Sequence, residues 1–285
     1  MTDNSAPIYL LAGPTASGKS ARALDWAQKR GGAILNADSM QLYADVPILT
    51  ARPTLEETQR APHLLYGHLA PGETWSAGEW LRAAMPYIAA AAPEAPLCIV
   101  GGTGLYFNTL VYGLAEIPEV AEDTRRAARE ACDAMDEAAF RDILKRHDPR
   151  AEARIKPNDR QRLSRAYEVW LQTGTALSDW QDQTQPALAD GSYELEILRP
   201  ERTWLYARCD ARLEAMLTEG ALDEVRSLMA KELRPEWPIM RVLGLAECVA
   251  YLQGEIALDA ALARAQQITR NYAKRQTTWF RNQFR

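Results

Sequence analysis

Eight residues near the start constrain this chain more than any others: Gly13, Pro14, Thr15, Ala16, Ser17, Gly18, Lys19 and Ser20. A glycine, four residues and then Gly-Lys-Ser form a phosphate-cradling loop only where a buried strand ends and a helix begins. There the backbone N–H groups and the positive end of the helix converge on one anion. The flanks meet that demand. The apolar run IYLLA at 8–12 stops at the loop as a buried parallel strand does, and residues 20–29 read as a helix with Leu24 and Ala27 inward, ended by Gly31 and Gly32. In such a P-loop, Lys19 supplies charge to the terminal phosphates and Ser20 offers a hydroxyl to Mg²⁺. The loop specifies a polyphosphate with Mg²⁺ and leaves open whether that is ATP.

Further units of the same kind follow. AILNADS at 33–39 and LCIVGGTG at 97–104 are again short apolar runs ending in polar or glycine turns. Repeated strand-then-loop units separated by helical stretches predict an α/β protein with a P-loop NTPase-like parallel sheet core. Ligands of such sheets gather beyond the carboxyl ends of the strands, so Asp38 and Thr103 belong on the same edge as the P-loop. From about residue 118 the pattern becomes helical throughout, with breaks at Pro149 and Pro157 and a stop at Gly174. Asn158 and Asp159 suit caps for the helix that follows, in which Leu163, Tyr167 and Trp170 recur at i, i+4 and i+7 as a buried stripe. Residues 178–193 read as a linker, and YELEIL at 193–198 rejoins the sheet. The expected organisation is a catalytic core of 1–117 and 193–285 with an all-helical insertion domain at 118–192.

A formal net charge of −5 excludes a protein coated in basic surface, yet two segments run against it. Residues 260–285 carry Arg264, Arg270, Lys274, Arg275, Arg281 and Arg285 with no acid, and residues 154–165 carry Arg154, Lys156, Arg160, Arg162 and Arg165 against Asp159 alone. Localised positive charge on an acidic protein is the footprint of a polyanion site on selected faces. Along the last helix, at about 100° per residue, Arg270, Lys274, Arg281 and Arg285 share one stripe and Ile268, Tyr272 and Trp279 lie opposite as the packing side. Cys98, Cys132, Cys209 and Cys248 are far apart without a CxxC pair, which predicts reduced interior thiols. No run approaches the roughly 18–20 apolar residues of a membrane span, and no basic leader precedes the first strand, so no membrane association and a cytoplasmic location are expected.

P-loop NTPases hold their metal with an Asp at the end of an apolar strand. Here the third strand ends CIVGGTG without one, and the nearest strand-end acid is Asp38, for which, taken alone, a helix cap is the commoner role. Taken together, GPTASGKS (13–20), DSMQLY (38–43), GGTGLYF (101–107), PNDRQRLSRAYEV (157–169) and YAKRQTTWFRNQ (272–283) resemble, in this order and spacing, the tRNA dimethylallyltransferase family, also called tRNA isopentenyltransferases. The resemblance runs from the first strand to the last helix. It implies transfer of a dimethylallyl group from dimethylallyl diphosphate to the exocyclic N6 amine of the adenosine 3′-adjacent to the anticodon, releasing diphosphate.

It further implies Asp38 as general base, with Thr103 holding the base or the transferring group. Residues 13–20 and Arg212 would hold the diphosphate, with Mg²⁺ on Ser20. Contacts to the tRNA anticodon stem-loop are implied for Asp38, Ser39, Met40, Gln41, Thr103, Arg125, Gln161, Arg162, Leu163, Ser164, Arg165, Arg241, Lys274, Arg275, Gln276 and Arg281. The chain departs from many relatives at Lys156, where a His often precedes PND, at Leu245, where a Tyr often follows the glycine, and in the stretch DVPILTARPT. A monomer is expected, since no exposed apolar seam is visible. Two other readings of the loop stand beside this one: a P-loop kinase or NTPase, disfavoured by the missing strand-end Asp, and an RNA-binding nucleotide sensor, which has no evident need of Asp38.

Overall fold

The computed structural model describes residues 7–284. Five strands form one wholly parallel sheet in the order β3-β2-β4-β1-β5: β1 (Ile8–Ala12), β2 (Ala33–Asn36), β3 (His63–Leu64), β4 (Leu97–Gly101) and β5 (Tyr193–Ile197). Every residue of β1 and β4 is buried, as in a sheet covered on both faces, which is why these strands read as unbroken apolar runs rather than alternating ones. The P-loop strand lies between β4 and the late strand β5, with Ala12 opposite Gly101 and Ile197.

Around the sheet run α1 (Lys19–Arg30), α2 (Leu55–Arg60), α3 (Ala77–Ala89) and α4 (Gly104–Tyr112), then α5 to α9 in the insertion, then α10 (Arg202–Thr218), α11 (Ala221–Met229), α12 (Leu245–Leu252) and α13 (Leu258–Gln283). Thr54 and Ser76 start α2 and α3 with full capping boxes through Glu57 and Glu79. The carboxyl-terminal helices bury Leu213, Met216, Val225, Leu228 and Leu245 against Leu42, Tyr43, Val46 and Leu49 of the loop after β2. This apolar cluster fixes that loop beside the sheet edge. Leu245, one of the departures, is fully buried in it.

The chain forms two compact units, one through Val111 and from Leu188, the other Tyr112–Ala187. The crossings lie five or six residues earlier than the expected 118 and 192, because α4 ends at Tyr112 and the Leu188 amide already donates to Leu110 O. The second unit comprises α5 (Glu122–Asp133), α6 (Glu137–His147), α7 (Pro149–Arg154), α8 (Arg160–Thr173) and α9 (Leu177–Asp182). Its core is Cys132, Phe140, Leu144, Ala151, Leu163 and Ala166. The fully buried Asp148 knits it together, accepting from Ala151 N (2.9 Å), Ser178 N (2.9 Å) and Ser178 Oγ (2.7 Å). The segment expected as a linker therefore begins as helix, held by a buried carboxylate that composition does not reveal.

In α13 the buried stripe is Ala261, Ala265, Thr269, Ala273, Gln276 and Phe280, while Ile268 is exposed. This corrects the expected packing side by roughly 70° at 100° per residue. Small residues let α13 approach α10 and α12, and the bulky side chains fall at the margin of the contact. All four cysteines are free and buried, and no helix of the described residues is long and apolar enough to cross a membrane.

Candidate active site

The loop between β1 and α1 closes as the sequence demands. Gly18 caps α1 at φ 87, in the left-handed region, with nothing within 4 Å of an added Cβ, so backbone conformation rather than space selects glycine there. Lys19 is buried, and its Nζ donates to Pro14 O at 3.3 Å. From α10, Arg212 Nη2 donates to Thr15 Oγ1 at 2.6 Å, and Arg208 Nε donates to Ala16 O at 3.1 Å. Buried Gln276 of α13 clamps the loop from behind: Thr15 N donates to its Oε1 (2.8 Å) and its Nε2 donates to Gly102 O (2.9 Å).

Two cations thus converge on the loop, and among the described residues neither Lys19 nor Arg212 has an ion-pair partner. Burial holds the Lys19 ammonium down at about 8, aided by the neighbouring Arg212 and opposed by Asp38. Burial also lowers the Arg212 guanidinium, which Cys209 and Asp38 oppose. The Arg212 Nε and the Ser17 Oγ are buried without a protein partner. Buried cations and donors without partners are costly in a free protein unless an anion completes them.

Asp38 follows β2. Asn36, fully buried, braces it: Asp38 N donates to Asn36 Oδ1 (2.8 Å), and Asn36 Nδ2 donates to Asp38 O (3.0 Å) and Leu65 O (2.9 Å). One carboxylate oxygen, Oδ1, accepts Met40 N at 3.1 Å and so caps the 3₁₀ turn Met40–Leu42. The second oxygen has no partner among the described residues, and Asp38 lines the P-loop cavity, so the residue both caps and faces the site. Thr103 accepts Ser39 N at 2.9 Å and donates to Ser39 Oγ at 3.2 Å; its hydroxyl thereby locks the turn that carries Asp38. Gly101 allows this approach, since a Cβ there would come within 2.0 Å of Ala37 O.

A cavity of about 800 Å³ opens over these groups. Thr15 to Ser20, Arg208 and Arg212 form a cationic end, and Ala21, Leu24, Ile34, Val100, Tyr66 and Leu55 supply apolar wall. Gln41 joins the wall with a fixed orientation, its Nε2 donating to Thr50 O (3.0 Å) and Ala51 O (2.7 Å). That loop is anchored in turn by Glu224 of α11, which accepts Ile48 N (2.6 Å) and Leu49 N (3.0 Å). For Mg²⁺, the exposed Ser20 hydroxyl and the Asp38 carboxylate offer oxygen donors of the right class. No group of three or more His, Cys, Asp or Glu among the described residues could hold a metal unaided, so the residues fit an ion that shares its coordination with substrate phosphates.

Among the residues expected to meet RNA, Arg241, Lys274, Arg275 and Arg281 are exposed, and Arg275 lies over the Tyr272 ring at 5.5 Å. Gln276 departs from the other expected contacts: it is 5% exposed, with Oε1 accepting Thr15 N and Nε2 donating to Gly102 O, so its amide braces the P-loop. Arg270 is likewise engaged, forming two bonds to Asp210 (2.6 and 2.7 Å), and Arg285 lies outside the described residues. In the insertion, Gln161, Arg162 and Arg165 are exposed on α8 and Arg125 is partly exposed on α5, whereas Leu163 and Ser164 point inward. A groove of about 370 Å³ between α5 and α8 is lined by Arg129, Gln161, Ser164 and Arg165, with Asp133 and Glu168. Arg129 and Arg208 escaped the sequence reading, although Arg208 stands one helical turn before Arg212 in RCDAR and could have been found by that spacing.

Comparison with known proteins adds an independent line. The family described as IPP transferase matches residues 41–283, and the one described as isopentenyl transferase matches residues 6–74. A tRNA dimethylallyltransferase of Phenylobacterium zucineum is 56% identical over 97% of this chain and 90% of its own length, and one of Caulobacter sp. is 52% identical with the same coverage. Among solved structures, a tRNA delta(2)-isopentenylpyrophosphate transferase of Staphylococcus epidermidis matches with TM-score 0.67 and 32% identity over 98% of this chain and 91% of its own. A eukaryotic dimethylallyltransferase acting on tRNA matches with TM-score 0.82 and 27% identity over 96% of this chain and 69% of its own.

Proposed function

The chain belongs to the tRNA dimethylallyltransferase family, and on that premise we propose that it transfers a dimethylallyl group from dimethylallyl diphosphate to the N6 amine of the adenosine 3′-adjacent to the anticodon. The observation that carries the reading is the pairing of buried Lys19 and partly buried Arg212, neither ion-paired among the described residues, with a half-bonded Asp38 on one cavity. The cations suit a diphosphate that gains charge as it leaves. Asp38 suits a nucleophile that must lose a proton.

In the proposed step the N6 nitrogen bonds C1 of the dimethylallyl group, the C1–O bond to diphosphate breaks, and the N6 proton passes to the free oxygen of Asp38. Adenine's amine is a weak nucleophile because its lone pair is delocalised into the ring, so the waiting carboxylate matters. Asn36 and Met40 N fix that carboxylate, and Thr103 fixes it through Ser39. Lys19, Arg212 and the loop amides hold the departing diphosphate. Mg²⁺, held by Ser20 and substrate oxygens, would add Lewis-acid neutralisation of that charge. The target base comes from an unpaired loop, so drawing it into the cavity costs less than flipping from a duplex. The same reading has the protein act on tRNA in the cytoplasm, as a monomer.

Asp38→Asn tests the assigned base. Single-turnover product formation should fall by roughly a hundredfold or more while tRNA affinity is kept. Undiminished turnover in the variant would remove Asp38 from the role.

A further inference from the structure

One charged group on the cavity is left over. Arg208 occupies the helical turn before Arg212 on α10, and its Nε is spent on Ala16 O at 3.1 Å, at the apex of the loop. Its guanidinium lies over the Trp204 ring at 4.8 Å. Trp204 is 46% exposed, and the guanidinium stacked on its ring is a cation–π contact that holds the side chain in place. The terminal nitrogens Nη1 and Nη2 have no partner among the described residues, and Arg208 lines the cavity with Lys19, Ser20 and Arg212. The guanidinium is therefore fixed at three points, its backbone, Ala16 O and the indole face, with its donor fork unused. Such a fork matches two oxygens of one phosphate.

We infer that Arg208, braced on Trp204, is a second diphosphate ligand that clamps the outer phosphate of the leaving group from the solvent side of the loop. This rests on the reading of the P-loop as a diphosphate site. Arg212 holds the loop at the Thr15 hydroxyl and is partly buried, whereas Arg208 holds it at Ala16 O and is exposed, so the two arginines reach the loop at different points. The Trp204 brace lowers the cost of immobilising a long exposed side chain each time substrate binds.

The test is calorimetric titration of inorganic diphosphate with Mg²⁺ into the wild-type protein, Arg208→Ala, Arg208→Lys, Trp204→Ala and Trp204→Phe. Arg208→Ala should bind diphosphate roughly tenfold to a hundredfold more weakly, the loss expected for charge-assisted hydrogen bonds. Its melting temperature without ligand and its tRNA affinity should stay at wild-type values, since the side chain is exposed. Arg208→Lys should recover little of the loss, because an ammonium keeps the charge but not the fork or the stacking. Trp204→Ala should weaken binding severalfold and Trp204→Phe should not. Diphosphate affinity within about twofold of wild type in Arg208→Ala would overturn the assignment, by the tenfold convention for one good contact. Full rescue by lysine would overturn the bidentate clamp. A wild type that binds no diphosphate would instead overturn the P-loop reading itself, and the clamp with it.

Discussion

At the scale of single residues, the site is an electrostatic liability that its substrate relieves. Lys19 titrates at about 8 in the folded protein against 10.5 for the ordinary side chain. The unfolded chain therefore holds this proton more tightly, so stability rises with pH between those two values and the full penalty is present below about 8. Lys19→Met should consequently make the ligand-free protein more stable at pH 7, on the order of 1–3 kcal/mol by urea denaturation, while abolishing diphosphate binding. A variant less stable than wild type would contradict the picture of a buried, uncompensated charge. Lys19, Ser20 and Asp38 were legible in the sequence because each sits at a fixed place in a local motif. Arg208 was not read, because an isolated arginine on a helix looks like any solvated charge until the fold brings it over the loop.

At the scale of elements, α13 shows where one-dimensional reading stops. Its length and basic character follow from residues 260–285, but its inward face does not, because most of that face is alanines, a threonine and a glutamine, with Phe280 its one large buried ring among the described residues. Gln276 is the instructive case. Within a basic helix it reads as an RNA contact, yet it ties α13 to Thr15 N and Gly102 O at once. Gln276→Ala should leave both backbone groups unpaired, at about 1–3 kcal/mol each, and weaken diphosphate binding. Its tRNA affinity in the absence of diphosphate should be unchanged by filter binding. A selective loss of tRNA affinity with the stability intact would return Gln276 to the RNA face. The parallel strands β1, β2 and β4 were legible from their apolar runs, and β5 from the segment YELEI that follows the polar stretch before it. The two-residue β3 was not, since it depends on β2 for its pairing, whereas the short α2 carries a local signal in its capping box, Thr54 with Glu57.

At the scale of the whole molecule, an acidic chain keeps exposed positive charge on a helix of each compact unit, which the proposed function assigns to RNA. Lys274, Arg275 and Arg281 on α13 and Arg162 and Arg165 on α8 are exposed while the net charge is −5. Affinity for an anticodon stem-loop should therefore fall linearly on a log–log plot against salt, with a slope of magnitude roughly 3 or more. Replacing Lys274 and Arg281 together by Ala should reduce that slope by about 1–2. A flat salt response would place the RNA elsewhere. The division into a sheet unit and a helical insertion was legible from the change of pattern near residue 118. The point of departure was not, because it is set by the end of α4 and a backbone bond from Leu188 to Leu110.

The most direct measurement is mass spectrometry of an unmodified anticodon stem-loop with adenosine 3′ to the anticodon, incubated with the protein, Mg²⁺ and dimethylallyl diphosphate, with ATP in a parallel reaction. The account predicts a gain of one C₅H₈ unit on that adenosine and release of diphosphate. No gain on a loop known to be a competent acceptor, together with hydrolysis of ATP in the parallel reaction, would contradict it and make the P-loop an ordinary nucleotide site.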